Sequence, residues 1–229
     1  MSNTRRAGNS LTNLIAYALI GAIAFVVMKF EFPIIPGVGF LKFDFSDIVI
    51  TIGMFLFGAW PGVLMALIRG LLSLIFSGFA LPSIVGQLAA FLATLSFALP
   101  FYLISKGITQ ENRRTKKGYL LPILGLIIGI IAMTIVLSLT NAFVLTPVYA
   151  VTSMANIPAL HNYSDLFNFT VNNYLGQLLH LPSMNAYIFG IIVPFNLLKG
   201  AINSVVVFIL FESTLKSIKP FVQKRFTVN

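Results

Sequence analysis

Asn196, Lys199 and Asn203 stand at i, i+3 and i+7 in the run 187–211, where Lys199 is the only charged residue. On a helix all three share one face. As a helix the run is ~37 Å long, enough to cross a bilayer core of ~30 Å. An ammonium inside such a span costs a few kcal/mol, so it must face a cavity or a partner rather than lipid. It could serve a ligand, or it could join a structural ion pair while the asparagines hold helices together. Two further groups are of the same kind. Thr134, Ser138 and Asn141 occupy i, i+4 and i+7 in an apolar run at 119–144, and Gln87 lies near the start of another at 83–105. The amides donate and accept, whereas Lys199 only donates. With the aromatic stretch Phe40, Phe43 and Phe45 above them, these groups suit a planar, amphipathic ligand carrying carbonyls, ring nitrogens and hydroxyls. An apolar pocket with a few placed polar groups is the usual form of a small-molecule site.

The elements that must hold these residues are membrane helices. The chain is 58% hydrophobic and only 9% charged. Soluble domains carry roughly 25% charged residues, so a pair of soluble domains is excluded. The sequence predicts an all-α integral membrane protein, a single domain over 1–229, with six transmembrane helices at about 11–29, 48–59, 62–78, 83–105, 119–144 and 187–211. A basic inner loop is expected at 106–118 and a long outer loop at 145–186. Between the first two helices, Pro33, Pro36, Gly37 and Gly39 rule out a continuous helix and point to an ordered outer loop. Arg5 and Arg6 before an apolar run resemble a signal peptide, but no convincing cleavage site follows, so the run reads as a retained first helix. Ala18 and Ala22 lie four apart on that helix, a spacing that lets another helix approach closely.

Charge sets the orientation without setting the number of spans. With six spans and both termini cytoplasmic, eleven of the fifteen Lys and Arg lie inside, as the positive-inside rule asks. A five-span arrangement with an outside N-terminus also gives eleven. The apolar run Leu71–Phe76 decides for six, because with five spans it would be stranded in a loop after Arg69. The turn between the second and third helices is expected at Trp60-Pro61-Gly62. Arg69 then lies deep in the third helix, where pairing with Asp47 is as good a reading as a ligand role. The net charge of +9 suits anionic lipid headgroups on the inner face rather than nucleic acid.

Several chemistries are excluded. There is no phosphate loop of the form G-x-x-x-x-G-K-[ST], no G-x-S-x-G elbow and no H-E-x-x-H zinc motif. Cysteine is absent, and His161 and His180 are most simply solvated loop residues, so no metal site is expected. A binder of this kind must take its energy from elsewhere.

The order of motifs along the chain carries a resemblance. Phe40-Leu41-Lys42-Phe43-Asp44-Phe45-Ser46-Asp47, then Gly86-Gln87, then Ala132-Met133-Thr134 leading to Asn141, then Pro194-Phe195-Asn196 with Lys199-Gly200 resemble the riboflavin-specific substrate-binding (S) components of energy-coupling factor (ECF) transporters. The resemblance covers about 190 residues, and the family has six helices with cytoplasmic termini. It implies a high-affinity riboflavin binder in the bacterial cell membrane that is not an enzyme and needs no cofactor. Such a component works with a membrane scaffold protein and two ATPases, toppling in the membrane to carry the vitamin inward. The implied ligand contacts are Leu41, Phe43, Asp44, Gln87, Asn141, Asn196 and Lys199, and the implied scaffold contacts are Ala18 and Ala22. Two departures stand out. Residues 152–185 make a longer segment than the family pattern has, and Gly70 follows Arg69 where an asparagine after a lysine is expected, so neither Arg69 nor Gly70 is assigned to the ligand.

Rival readings remain open from the sequence. One is an S component for another vitamin such as pantothenate, and a second is a self-sufficient secondary transporter. A third is a membrane enzyme using Asp44, Asp47 and Lys199, although no catalytic spacing supports it. Asn203 lies ~10 Å deeper than Asn196 and reads as helix packing. Lys199→Met is expected to weaken ligand binding without unfolding the protein.

Overall fold

The computed structural model of the chain describes residues 2–33, 41–154 and 157–226, with side chains from residue 11 onward. Phe40, Pro36, Gly37 and Gly39 of the expected outer loop lie outside the described residues. Helix α1 covers Ser2–Met28, α2 Ser46–Phe57, α3 Ala59–Ser77 and α4 Leu81–Ser105. Helix α5 runs over Lys116–Ser153, a short α6 over 163–178 and α7 over Met184–Arg225. The apolar parts of α1, α3, α4, α5 and α7 are each long enough to cross a membrane. Helix α2 is equally apolar but has only 12 residues, ~18 Å of helix against a core of ~30 Å. The protein is thus a helical, multi-pass membrane protein.

Two helices, not one kinked span, occupy the stretch from Ser46 to Ser77, but they meet earlier than Trp60-Pro61-Gly62. The reversal is at Gly58, whose φ of 109° favours glycine. Pro61 falls in the first turn of α3, where a missing N–H costs nothing. Gly62 serves packing instead, because a Cβ there would come within 2.6 Å of Met54. Helices α4 and α5 lie against each other just as closely: a Cβ on Gly129 would stand 2.5 Å from the Phe97 carbonyl oxygen. Beneath them Phe55, Phe101 and Phe211 form a core of edge-on rings, with Phe55 and Phe211 centroids 4.7 Å apart.

Between α1 and α2 the chain makes a two-residue antiparallel ladder, β1 (Phe32–Pro33) with β2 (Lys42–Phe43). The exposed pair Lys42 and Glu31 closes it at 2.5 Å.

The largest difference from expectation is the segment 145–186, which is mostly helical. Helix α5 does not stop at residue 144; it passes through a wider i→i+5 turn at Asn141–Leu145 and continues to Ser153. Pro147 has no N–H for the Phe143 carbonyl, and the Tyr163 hydroxyl donates to that oxygen at 2.8 Å instead. Helix α6 then buries Phe169, Tyr174 and Leu175 against Ala150, Tyr187, Ile188 and Ile192. Most of α6 is itself wound with i→i+5 turns, so its apolar residues depart from the 3.6 period by which a helix is read. Helix α7 likewise begins before residue 187 and carries a wide turn at Ile188–Ile192, ahead of Pro194.

Candidate ligand-binding cavity

A cavity of about 370 Å³ lies where the ladder between α1 and α2, the end of α3, the start of α4, the later part of α5 and the early part of α7 converge. Its volume falls within the 300–1,000 Å³ of small-molecule sites. Six of the seven residues singled out as ligand contacts line it: Leu41, Asp44, Gln87, Asn141, Asn196 and Lys199. Phe43 does not. It is fully buried and packs its ring against Phe32 at 5.6 Å and edge-on to Phe45 at 5.0 Å, so it holds the ladder under which Leu41 and Asp44 are placed.

The two asparagines are presented in the same way. Asn141 Nδ2 donates to the Leu137 carbonyl at 2.8 Å, and Asn196 Nδ2 donates to the Ile192 carbonyl at 2.9 Å, each one turn back on its own helix. Each stands at a wide turn, Asn141 opening the one in α5 and Asn196 following the one in α7. Such turns gather at functional sites because they re-aim side chains. The opposite atom of each amide is the informative one. Asn141 Oδ1, Asn196 Oδ1 and Gln87 Oε1 are buried and have no hydrogen-bond partner among the described residues. A buried acceptor without a donor costs about 1–3 kcal/mol. Three of them around one cavity ask for a ligand that supplies N–H or O–H groups.

Lys199 completes a charge-balanced floor. Its Nζ lies 3.2 Å from Asp44 Oδ2 and 3.0 Å from Asp47 Oδ2. Arg69 Nη1 lies 3.1 Å from Asp47 Oδ1 and donates to Ser46 Oγ at 2.8 Å, while Thr94 Oγ1 donates to Asp47 Oδ1 at 2.5 Å. The Ser46 hydroxyl and backbone N–H both donate to Asp44 Oδ1. Both carboxylates sit at the N-terminus of α2, where the helix dipole favours negative charge. Two cations and two anions thus neutralise each other out of contact with lipid. Lys199 both borders the cavity and is ion-paired, so the pairing does not remove it from the cavity wall. Arg69 is paired with Asp47 and does not line the cavity.

Sequence reasoning missed part of the wall. Ser73 and Ser77 line the cavity from α3, and with Arg69 they form an i, i+4, i+8 stripe that a search for polar periodicity would have found. Tyr149 lines it from the continuation of α5, opposite Gly86, where an added Cβ would stand 3.3 Å from the Tyr149 hydroxyl. Nothing local marks Tyr149, because its position depends on α5 extending past residue 144. Thr134 is turned into its own helix, donating to the Ile130 carbonyl at 2.8 Å, and Asn203 is fully buried one turn beyond Lys199, away from the cavity.

On the first helix, Ala18 is exposed and Ala22 half-buried, whereas Gly21 and Ala24 face inward. The side that carries Ala18, with Leu14, Leu19, Ile23 and Val26, is the bare apolar face of α1.

A polar cavity at one end of a bundle of membrane helices, lined by buried amide oxygens that have no partner among the described residues, suits a membrane-embedded binding component. Residues 12–211 match the family model described as "ECF transporter, substrate-specific component", and the chain belongs to that family. Curated relatives are named transporters rather than enzymes. The "Riboflavin transporter RibU" of Staphylococcus aureus is 35% identical, over 95% of this chain and 98% of that protein. The "Riboflavin transporter FmnP" of Bacillus subtilis is 28% identical, over 93% of this chain and 94% of its own length. A solved structure described as "Structure and mechanism of the S component of a bacterial ECF transporter" superposes with a TM-score of 0.64 at 32% identity, covering 92% of this chain and 99% of that one.

Proposed function

We propose that this protein binds riboflavin in the cavity with high affinity and hands it inward as the S component of an ECF-type importer in the bacterial plasma membrane. Six spanning helices with both termini cytoplasmic, α2 counted as a short span, suit that role. A membrane scaffold protein and two ATPases supply the energy, the scaffold docking on the face of α1 that carries Ala18 and Ala22. The observation that carries the reading is the set of three amide oxygens, Asn141 Oδ1, Asn196 Oδ1 and Gln87 Oε1, without partners among the described residues around one cavity. Riboflavin brings the complement: a ring N–H and ribityl hydroxyls that donate, and an apolar planar ring for the Leu41 and Leu137 walls. Its ring carbonyls accept from donors such as Lys199. Phe43 supports the β1–β2 ladder from behind rather than touching the vitamin. Toppling in the membrane is the transport step this family membership suggests.

Titration of ligand-stripped protein with riboflavin should give submicromolar binding that excess pantothenate does not relieve. Absence of binding, or displacement by pantothenate, sinks the assignment. Tryptophan fluorescence is the wrong readout, because Trp60 is exposed beside the Gly58 turn at the far end of α2 from the cavity. Protein purified without added ligand should carry a flavin absorption band.

A further inference from the structure

The opposite end of the bundle holds a second cavity, of about 710 Å³, between the start of α5 and the later part of α7. Arg113, Arg114, Lys116 and Lys216 line it against a single acid, Glu212. Arg113 and Glu212 satisfy each other: Arg113 Nη2 lies 3.2 Å from Glu212 Oε1, and Nη1 donates to the Gly118 carbonyl at 3.1 Å. That leaves Arg114, Lys116 and Lys216 with no carboxylate oxygen within 4.0 Å among the described residues. The Arg113 side chain is only 7% exposed and its Nε has no hydrogen-bond partner among the described residues.

The local helix makes this charge harder to account for by itself. Thr115 caps α5, its hydroxyl accepting from the Gly118 N–H, and no acid stands in the first turn of that helix. A helix N-terminus is already positive, so Lys116 and Lys117 there are unfavourable unless an anion joins them. Gln110 and Thr115 add polar groups at the rim, and the apolar part of the lining leads into the membrane: Tyr119 and Leu120, both more than half exposed, continue along α5 into the exposed row Leu124, Ile127 and Ile131. Positive charge at the rim and an apolar track running into the membrane suit an amphipathic anion, and basic pockets between membrane helices hold lipid headgroups.

We propose that this cavity binds an anionic phospholipid, its phosphate held by Arg114, Lys116 and Lys216 at the start of α5 and its acyl chain lying along the Leu120 face. The site is independent of the vitamin cavity. Native mass spectrometry of the purified full chain with phosphatidylglycerol, and with phosphatidylcholine as the neutral control, tests it. Wild type should retain phosphatidylglycerol selectively, and the triple variant R114Q/K116Q/K216Q should lose about a hundredfold in affinity, at ~1 kcal/mol per cation. The variant K106Q/K224Q/R225Q removes as much charge from exposed residues that do not line the cavity and should leave binding unchanged. Melting temperatures check folding; if the first triple does not fold, the exposed single change Lys216→Gln should still cost about fivefold. Equal retention of the two lipids, or equal losses in both triples, overturns the proposal. So does displacement of the lipid by inorganic phosphate alone, since the acyl chain would then contribute nothing.

Discussion

Lys199 is a residue whose two roles compete in any experiment. Met in its place keeps the stem but leaves Asp44 and Asp47 buried with Arg69 as the only remaining cation of the group. Breaking a buried pair from one side costs ~3–5 kcal/mol, so the expectation from sequence, that this change spares the fold, does not survive the geometry. Lys199→Met should lower both the melting temperature and riboflavin affinity, and adding Asp44→Asn should restore part of the stability but none of the affinity. A Lys199→Met variant that melts like wild type would falsify the ion-paired floor. Asn141→Leu should behave in the opposite way. It removes a buried acceptor that has no donor among the described residues, so the ligand-free protein should melt no lower, while riboflavin affinity drops about tenfold. The spacing Asn196–Lys199 was legible because both lie on one regular helix. Asp44 and Lys199, 155 residues apart, meet only through the packing of α2 on α7, which a single sequence does not encode in any local period. Phe43 was misplaced for a related reason. In a two-residue strand the alternation puts Phe43 on the side opposite Lys42, and which side faces the cavity depends on the neighbouring helices.

At the scale of elements, the site depends on how closely α4 and α5 approach, because Gln87 rides on one and Asn141 on the other. Gly129 permits that approach. An alanine there would press its Cβ on the Phe97 backbone, which cannot swing aside as a side chain can. Gly129→Ala should therefore cost about 1–3 kcal/mol and weaken riboflavin binding, as the two helices part. Gly70→Ala makes the control: nothing stands within 4 Å of an added Cβ there, and Ala is the better helix former by ~1 kcal/mol. Its melting temperature should hold or rise. If both variants melt alike, the close α4–α5 contact is not what sets the cavity width. The cores of the long spans were readable as apolar runs of sufficient length. Their ends were not: Pro147 looks like a helix breaker just past the α5 run, and α7 continues beyond residue 211 into a basic stretch that carries no apolar run. In the structure wide turns at Asn141–Leu145 and Ile188–Ile192 carry the helices through, and those same turns stand beside the cavity asparagines.

For the whole molecule, the buried charges are neutralised at one end and a basic cluster is gathered at the other, while α1 packs one side on the bundle and leaves its other side bare. Helix α1 packs on α2 and α3 through Tyr17, Ile20 and Ala24, while Ala18 looks outward beside Leu14 and Leu19. Lipid alone has no use for a small residue there; a second helix does, because small residues let backbones approach. Ala18→Trp fills that approach from an exposed position on α1, so riboflavin affinity and melting temperature should stay at wild-type values. ATP-driven uptake into vesicles that also contain the proposed scaffold and ATPases should fall to background. Ile135→Trp places the same bulk on an exposed face of α5, which is not packed on α1, and should leave uptake intact. The pair separates a helix docking on α1 from a general cost of bulk in the membrane. Uptake that survives Ala18→Trp removes α1 from the scaffold interface, and uptake lost in both variants shows only that tryptophan on any lipid-facing helix obstructs the movement.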